Sequence, residues 1–381
     1  MGCSVMSELK VDTIVNLAGT GKPNLPVSPT LGGTALSSAN TYSYTSSGTQ
    51  PSSPKNGAIW WDSSNNEVYL YIAGEFKKVT LNASAASGIA WGGNRALVTG
   101  GAGVHIDYFD MTGTSNAADF GDLSGAYNSN DRGVSNTSRA IFTRNVNDSM
   151  DYVTIATPGN GTDFGDLIHT DRGQAPCSDG TYGVFGGGYG TLNSSGGYQN
   201  SIFYVTIANT GNATDFGDRT VTGGYASGTG NATRGLFFGV FTNTSPSTSN
   251  VIDYVTIASP GNATDFGDLS NPSGFNAAAS DATRAVCATG LDSVASTIRN
   301  NIDYVTVAST GNATDFGDLT VAKEDSSACG NGTRIIFNGG STGSNVDTVE
   351  YITAQTPGNA TDLLDLTTAS NRTTSCAGNA S

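Results

Sequence analysis

Histidine is almost missing from this chain, with two in 381 residues, and charged residues of every kind reach only 13%. His105 and His169 stand apart, with no repeated partner and no nucleophile motif beside them, which leaves imidazole-based catalysis little to use. Basic residues are scarce as well. The 17 Lys and Arg face 32 acids for a net charge of -15, and the densest basic stretch is the pair Lys77-Lys78. Nucleic acid phosphates demand clustered cations, so that partner is excluded. No apolar run approaches the roughly 20 residues that cross a bilayer, so membrane insertion is not expected. Met1 to Lys10 lacks the basic-then-apolar order of a secretory signal, and classical secretion is not expected either. The five cysteines, Cys3, Cys177, Cys287, Cys329 and Cys376, share no Cys-x-x-Cys spacing, which speaks against zinc and redox use. They read as small buried residues, with Cys177 and Cys329 each five positions ahead of an equivalent residue, Tyr182 and Arg334.

What the chain has is turn chemistry. Its 51 glycines, set among Ser, Thr, Asn and Asp, exclude a helical protein, while 37% hydrophobic content is too high for a disordered one. The reading is all-β.

One stretch recurs along it. In its clearest copy it runs from Ile252 through Asp253-Tyr254-Val255-Thr256-Ile257-Ala258 to Asp265-Phe266-Gly267-Asp268-Leu269. Six copies carry their tyrosine at Tyr108, Tyr152, Tyr204, Tyr254, Tyr304 and Tyr351, roughly 50 residues apart, a period that points to a solenoid or propeller. Each copy holds four strand-like pieces: a small-residue run, a strand led by arginine, the Asp-Tyr-Val-Thr-Ile strand, and Asp-Phe-Gly-Asp-Leu. Four strands with glycine-rich turns make one propeller blade. In the third strand Tyr254 and Thr256 alternate with Val255 and Ile257, so both faces are partly apolar, as a sheet between two neighbouring sheets requires. We expect a six-bladed β-propeller with four-stranded blades over residues 84–381. The small-residue strand occurs a seventh time, as Ser87–Trp91 or as Thr374–Gly378, and the sequence leaves open which of the two closes the ring.

Ahead of the propeller two further segments are expected. Residues 1–53 read as an extended N-terminal arm and linker, stiffened by Pro23, Pro26 and Pro29. Residues 54–83 read as a small β-hairpin module, with Ile59–Asp62 and Glu67–Ile72 around the turn Ser63-Ser64-Asn65-Asn66 and a third strand from Glu75.

The motifs that suggest chemistry are weakened by their repetition. Asp-Phe-Gly occurs five times, with Leu363 in place of phenylalanine in the last copy, whereas a catalytic metal ligand is needed once. Phe120, Phe164, Phe216, Phe266 and Phe316 are therefore read with the six tyrosines as structural anchors. The motif's second aspartate recurs at Asp122, Asp166, Asp218, Asp268, Asp318 and Asp365, and an arginine opens the second strand at Arg95, Arg139, Arg234, Arg284 and Arg334. They form one Arg–carboxylate pair per blade, or else the aspartates cap turns and the arginines reach solvent. The Asn-Ala-Thr-Asp turns hold oxygen ligands but lack the acid spacing of a calcium loop. No catalytic residue, cofactor or metal is assigned, and an enzyme is not expected.

Specificity is expected in the loops between second and third strands, which differ most among copies. Tyr189, Tyr198 and Arg299 are the most contact-capable residues there.

Two resemblances extend the reading. Met6–Ile14 with Gly19-Thr20-Gly21-Lys22-Pro23, and Asn56–Asp62 with Tyr69-Leu70-Tyr71, resemble the N-termini and a short module of tail-fibre proteins of marine tailed phages. The repeat is similar to kelch-like repeats of marine, cyanophage-like viral proteins, without the spaced Tyr and Trp pattern of true kelch. The resemblance implies a virion protein located on the tail, or alternatively on the capsid surface. Its arm would join other tail, baseplate or capsid proteins, and its propeller would bind a host surface glycan or protein. It is compatible with a homo-oligomer. A decoration or connector protein without receptor binding, and a glycan depolymerase, are the alternatives.

Overall fold

Each repeat folds into one sheet because its turns bring four short strands back and forth over the same hydrophobic span. The computed structural model describes residues 30–31, 34–35, 44–47, 49–50, 52, 58–62, 67–72, 75–78, 93–100, 103–125, 132–144, 148–169, 171–192, 195–371 and 374–378. The chain divides into two units, Met1–Asn82 and Ala83–Ser381. In the first, Ile59–Asp62 and Glu67–Ile72 form the expected antiparallel hairpin, and Glu75–Lys78 continues it. A fourth strand, Tyr44–Ser47, pairs parallel to Ile59–Asp62 from within the stretch whose composition reads as linker. Nothing in composition announces that pairing, since Tyr-Thr-Ser-Ser is neither apolar nor alternating. The side chains of Trp60 and Trp61 lie outside the described residues.

The second unit is a six-bladed β-propeller. Blades 2 to 6 are sheets of four antiparallel strands in chain order, innermost to outermost. Blade 4 is representative, with Ser227–Gly230, Arg234–Phe241, Thr248–Thr256 and Thr264–Ser273. Blade 3 adds Asp171–Arg172 beside its lengthened second strand. Blade 1 settles the open closure: its innermost strand is Thr374–Gly378, antiparallel to Arg95–Thr99. Ser87–Trp91 lies outside the described residues. Each innermost strand neighbours the next around the whole ring, and Gly133–Ser135 of blade 2 meets Thr374–Gly378. Among the described residues there is no helix.

The repeated motifs turn out to join blades. Phe120, Phe164, Phe216, Phe266 and Phe316 are buried, each meeting its blade's tyrosine edge-on at about 6 Å. Beyond each phenylalanine the next blade's Gly-Asn-Ala turn, Gly-Asn-Gly in blade 2, docks on the outermost strand. At blades 4 and 5, Gly311 N donates to Phe266 O, Ala313 N to Asp268 O, and Asp268 N to Asn312 Oδ1 at 3.1 Å. Gly267 must be glycine there. Its φ is +147°, and a Cβ would lie 2.4 Å from Gly311 O.

The second-strand arginines also cross between blades, and carbonyls rather than carboxylates are their partners. Arg95 lies over Tyr108 and donates to Ile155 O and Ala156 O of blade 2. Arg139 repeats this on blade 3, Arg234 on blade 5's Val307 O from across the seam, and Arg334 reaches Met111 O of blade 1 at 2.8 Å. The Arg–carboxylate pair expected as one alternative is thus replaced by a cation over an aromatic ring that satisfies turn carbonyls.

A second row of contacts, nearer the core, crosses five of the six seams. The residue before the repeat tyrosine is a buried acid in five blades: Asp107, Asp151, Asp253, Asp303 and Glu350. Each is capped by the hydroxy residue that follows the preceding blade's Asp-Leu or Asp-Arg. Ser124 N and Oγ donate to Asp151, Thr220 to Asp253, Ser270 to Asp303 and Thr367 to Asp107, and Thr320 N donates to Glu350 at 2.7 Å. The seam between blades 2 and 3 is different at both places. Phe203 replaces the acid, Ile168 replaces the hydroxy residue, and His169 stands edge-on to Phe203. Donor and acceptor are lost together, so neither is left buried and unpaired.

Three of the acids also have a basic partner. Arg219 meets Asp253 at 2.9 Å and Lys323 meets Glu350 at 2.7 Å, all four fully buried, while Arg144 Nε is 3.9 Å from Asp151. Among the described residues Asp303 has neutral hydrogen-bond partners only, Ser270 and Asn301. Burial raises its carboxyl above the ordinary value, aided by Asp315 and opposed by the Ser270 and Asn301 hydrogen bonds. A raised carboxyl binds its proton more tightly when folded, so this group favours the fold most at low pH and loses that contribution as pH rises through its folded value. Asp303→Asn is accordingly expected to raise the melting temperature at pH 7. The gap to the wild type should close as pH is lowered toward about 4. A gap independent of pH in thermal melts would show that charge burial is not its cause.

Candidate functional site

The ring encloses a central channel too small for an organic ligand. Its walls are the innermost strands, among them Ser135, Cys177, Ser227, Thr229, Ala279 and Cys329, and its cavity is about 80 Å³. Ligand pockets usually offer about 300–1,000 Å³. Burial pushes the thiols of Cys177 and Cys287 far up, so neither is a ready nucleophile. Cys177 shares the channel wall with Cys329, which occupies on blade 6 the place that Cys177 has on blade 3, whereas Cys287 lies on the second strand of blade 5.

The face that carries the loops between second and third strands offers more. Blade 3 contributes an extended hairpin, Tyr182–Leu192 and Ser195–Thr206, whose far part is beyond the length of the other blades' strands. Alternation places Tyr189 and Tyr198 directly opposite each other, with ring centroids 5.0 Å apart. Arg172 lies over the Tyr189 ring at 5.0 Å, held there by the pairing of Asp171–Arg172 with Tyr189 and Gly190. From Tyr198 a line of rings continues across the ring of blades. Tyr198 meets Tyr225 and Phe241, Tyr225 stacks on Phe275 at 4.6 Å, and Phe241 closes on Phe275 at 5.0 Å.

Backbone geometry fixes where those rings stand. The residue two places ahead of each innermost strand is left-handed at Gly173, Tyr225, Phe275 and Asp325, with φ from 52° to 68°. Tyr225 N donates to Gly173 O, Phe275 N to Tyr225 O, and Asp325 N to Phe275 O. This hydrogen-bonded rim runs from blade to blade around the channel mouth. Tyrosine and phenylalanine at positive φ are uncommon, and such conformations persist where surrounding contacts over-determine them.

The line combines apolar faces with polar edges. Burial, followed by the neighbouring Tyr225 and Tyr189 hydroxyls, pushes the Tyr198 phenol up to about 12, with Arg172 acting against them. The phenol is therefore a neutral hydrogen-bond donor at ordinary pH. Tyr189, Tyr198 and Phe275 are half-buried, leaving part of each ring accessible. Flat rings with a guanidinium beside them suit a ligand that is itself flat and apolar on one side and hydroxylated or acidic at its rim.

Arg299, expected from the sequence as a third contact, stands elsewhere. It forms an ion pair with Asp292 at 2.6 Å in the blade 5 loop. Burial works against the Asp292 charge, but hydrogen bonds from Ala295 N, Arg299 and Val294 N hold its carboxyl below the ordinary range. That loop is clipped to blade 4 by Thr248 and Ser293. Tyr189 and Tyr198 are brought together, and Arg299 is a loop brace. The residues missed from the sequence are Arg172, Tyr225, Phe241 and Phe275. The signal for two of them was an aromatic residue in Gly224-Tyr225-Ala226 and Gly274-Phe275-Asn276, just where blade 3 has Gly173.

No protein-family model matches this chain, and no curated protein matches it. The arrangement has to be read by itself.

The two histidines are far apart in the ring of blades. His105 is exposed, with Nδ1 3.0 Å from Asp122 Oδ1, and His169 lies against Phe203 with Ser201 Oγ 3.3 Å from Nε2. No group of three His, Cys, Asp or Glu side chains able to hold a metal exists among the described residues. No helix among them is long and apolar enough to cross a membrane.

Proposed function

We propose that the propeller is a recognition module. It binds a cell-surface glycan or protein through the face carrying Tyr189, Tyr198 and Arg172, and does not cleave what it binds. The reading places the protein on a phage virion as a tail-fibre component, with the N-terminal segment engaging other virion proteins. The observation that carries it is the line of five rings from Tyr189 to Phe275, capped by a guanidinium. Tyr and Arg are over-represented among residues that dominate binding energy, and a tyrosine supplies large contact area at low entropic cost. The virion assignment is supported by the resemblance of the N-terminal stretches to phage fibre proteins.

The test is binding of the purified full chain to a glycan array and to intact bacteria. Tyr189→Ala is expected to weaken binding about 10-fold or more, as loss of a dominant contact does. Its thermal melt should stay within about 3 °C of the wild type, because the ring is half-buried at a hairpin end. Unchanged binding by that variant would remove the aromatic line from the reading. A wild-type chain that binds no cell surface would overturn recognition itself, and release of sugar fragments would replace binding by cleavage.

A further inference from the structure

The seam between blades 6 and 1 holds a cavity of about 150 Å³ beside a buried acid that has no basic partner among the described residues. Asp107 is the acid, 8% exposed, with both carboxylate oxygens accepting from Thr367. The repeat identifies the positions that could have supplied a cation here. Counted from the second-strand arginine, Arg144 of blade 2 corresponds to Gly100 of blade 1. Counted from the outermost strand, Arg219 corresponds to Leu366 and Lys323 to Ser370. Those three positions each supply the cation at one of three other seams, and at this seam, as at that of Asp303, all three carry neutral residues. Gly100, Leu366 and Ser370 all line the cavity.

A second observation points the same way. Thr99 also lines the cavity, is 1% exposed, and its hydroxyl has no hydrogen-bond partner among the described residues. A buried hydroxyl without a partner costs free energy unless something in the cavity meets it. His105 stands at the cavity as well, but its Nδ1 is 3.0 Å from Asp122, so any imidazolium charge there faces that carboxylate.

We propose that this cavity binds a monovalent cation, an alkali ion or a primary ammonium group. It would balance Asp107 as Arg144, Arg219 and Lys323 balance the acids of their seams. The oxygens on offer are the Asp107 carboxylate and the hydroxyls of Thr99 and Thr367, which suit a hard cation or an N–H donor. One carboxylate answers one positive charge, which favours a monovalent over a divalent ion.

The experiment uses the full chain in a buffer whose only cation is bulky N-methylglucammonium. Sodium, potassium or methylammonium chloride is then exchanged in at constant ionic strength. Thermal melting is followed for all three, and sodium NMR line width reports the ion directly. The expected result is a saturable rise of about 2–4 °C with at least one of the three cations. Which cation gives it separates an alkali ion from an ammonium. Asp107→Asn, which keeps the side chain's shape and can still accept from Thr367, should lose the response. Ser370→Lys should lose it too while melting no lower than the saturated wild type. Melting and line width indifferent to the cation would overturn the proposal, as would a response that survives in Asp107→Asn. Arg372, outside the described residues, supplies the last arm. A cation response in Arg372→Ala but not in the wild type would mean that the chain provides its own charge, and would overturn it equally.

Discussion

Asp253→Asn is expected to destabilise the propeller by about 3–5 kcal/mol, the usual cost of removing one partner from a buried ion pair. Arg219 and Asp253 are both fully buried, and the guanidinium also donates to Gly239 O and lies over Phe237. A guanidinium cannot shed its proton, so an asparagine at 253 leaves a full positive charge in a place without water. The reverse change should be gentler. Arg219→Leu installs the residue that the other five blades carry as Leu123, Leu167, Leu269, Leu319 and Leu366, and a stranded carboxylate can take up a proton. Asp253 would still be capped by Thr220 N and Oγ1. Urea unfolding of the two variants measures this asymmetry. Equal losses, or a neutral Asp253→Asn, would show that the pair contributes by shape and not by charge. Arg219→Leu should also become pH-sensitive, gaining stability toward acid as expected of Asp303.

Phe266→Ala is expected to cost about 3–5 kcal/mol as well, by opening a cavity between two blades. The ring is 2% exposed, stands edge-on to Tyr254 and belongs to a cluster with Leu236, Ile252, Ala285 and Val305. Its truncation removes contacts within blade 4 and across to blade 5, so thermal melts should shift by roughly 10 °C. Asp265→Asn, at the exposed head of the same tripeptide, should change stability by less than about 0.5 kcal/mol. That contrast separates a packing motif from a metal-binding one. If the phenylalanine variant melts like the wild type, the outermost strand has been assigned to the wrong neighbours.

The architecture was legible because repetition averages over accidents: six tyrosines at a regular interval locate six sheets without any one strand being secure. Closure was not legible, since Ser87–Trp91 and Thr374–Gly378 have the same small-residue character and only tertiary pairing separates them. The buried acids were hidden for a geometric reason. Strand alternation puts Asp253 on the opposite face from Ile252, yet both are fully buried, because a blade is covered on both faces by its neighbours. A charged residue is ordinarily exposed, so nothing in the sequence marks Asp253 as buried. The loop aromatics were half legible. Tyr189 and Tyr198 share one hairpin and are opposite by simple counting, whereas Tyr225 and Phe275 come from connections between blades. Their left-handed backbone would be assigned to glycine by any local rule. Arg299 misled because Asp292, seven residues earlier, claims it across a small loop hairpin.

The pairing of Thr374–Gly378 with Arg95–Thr99 also sets an order of events during synthesis. Blades 2 to 6 are each contiguous in the chain and can assemble as they emerge from the ribosome. Blade 1 cannot, for its inner edge waits for a strand translated after all of blades 2 to 6. At about 5–20 residues per second, the nascent protein spends some tens of seconds with that edge unpaired. An open edge of this kind is a template for pairing with another chain, so a second nascent copy nearby could donate its own terminal strand. Crowded polysomes are therefore where this protein would exchange strands, and slowed translation of blade 6 would lengthen the exposure.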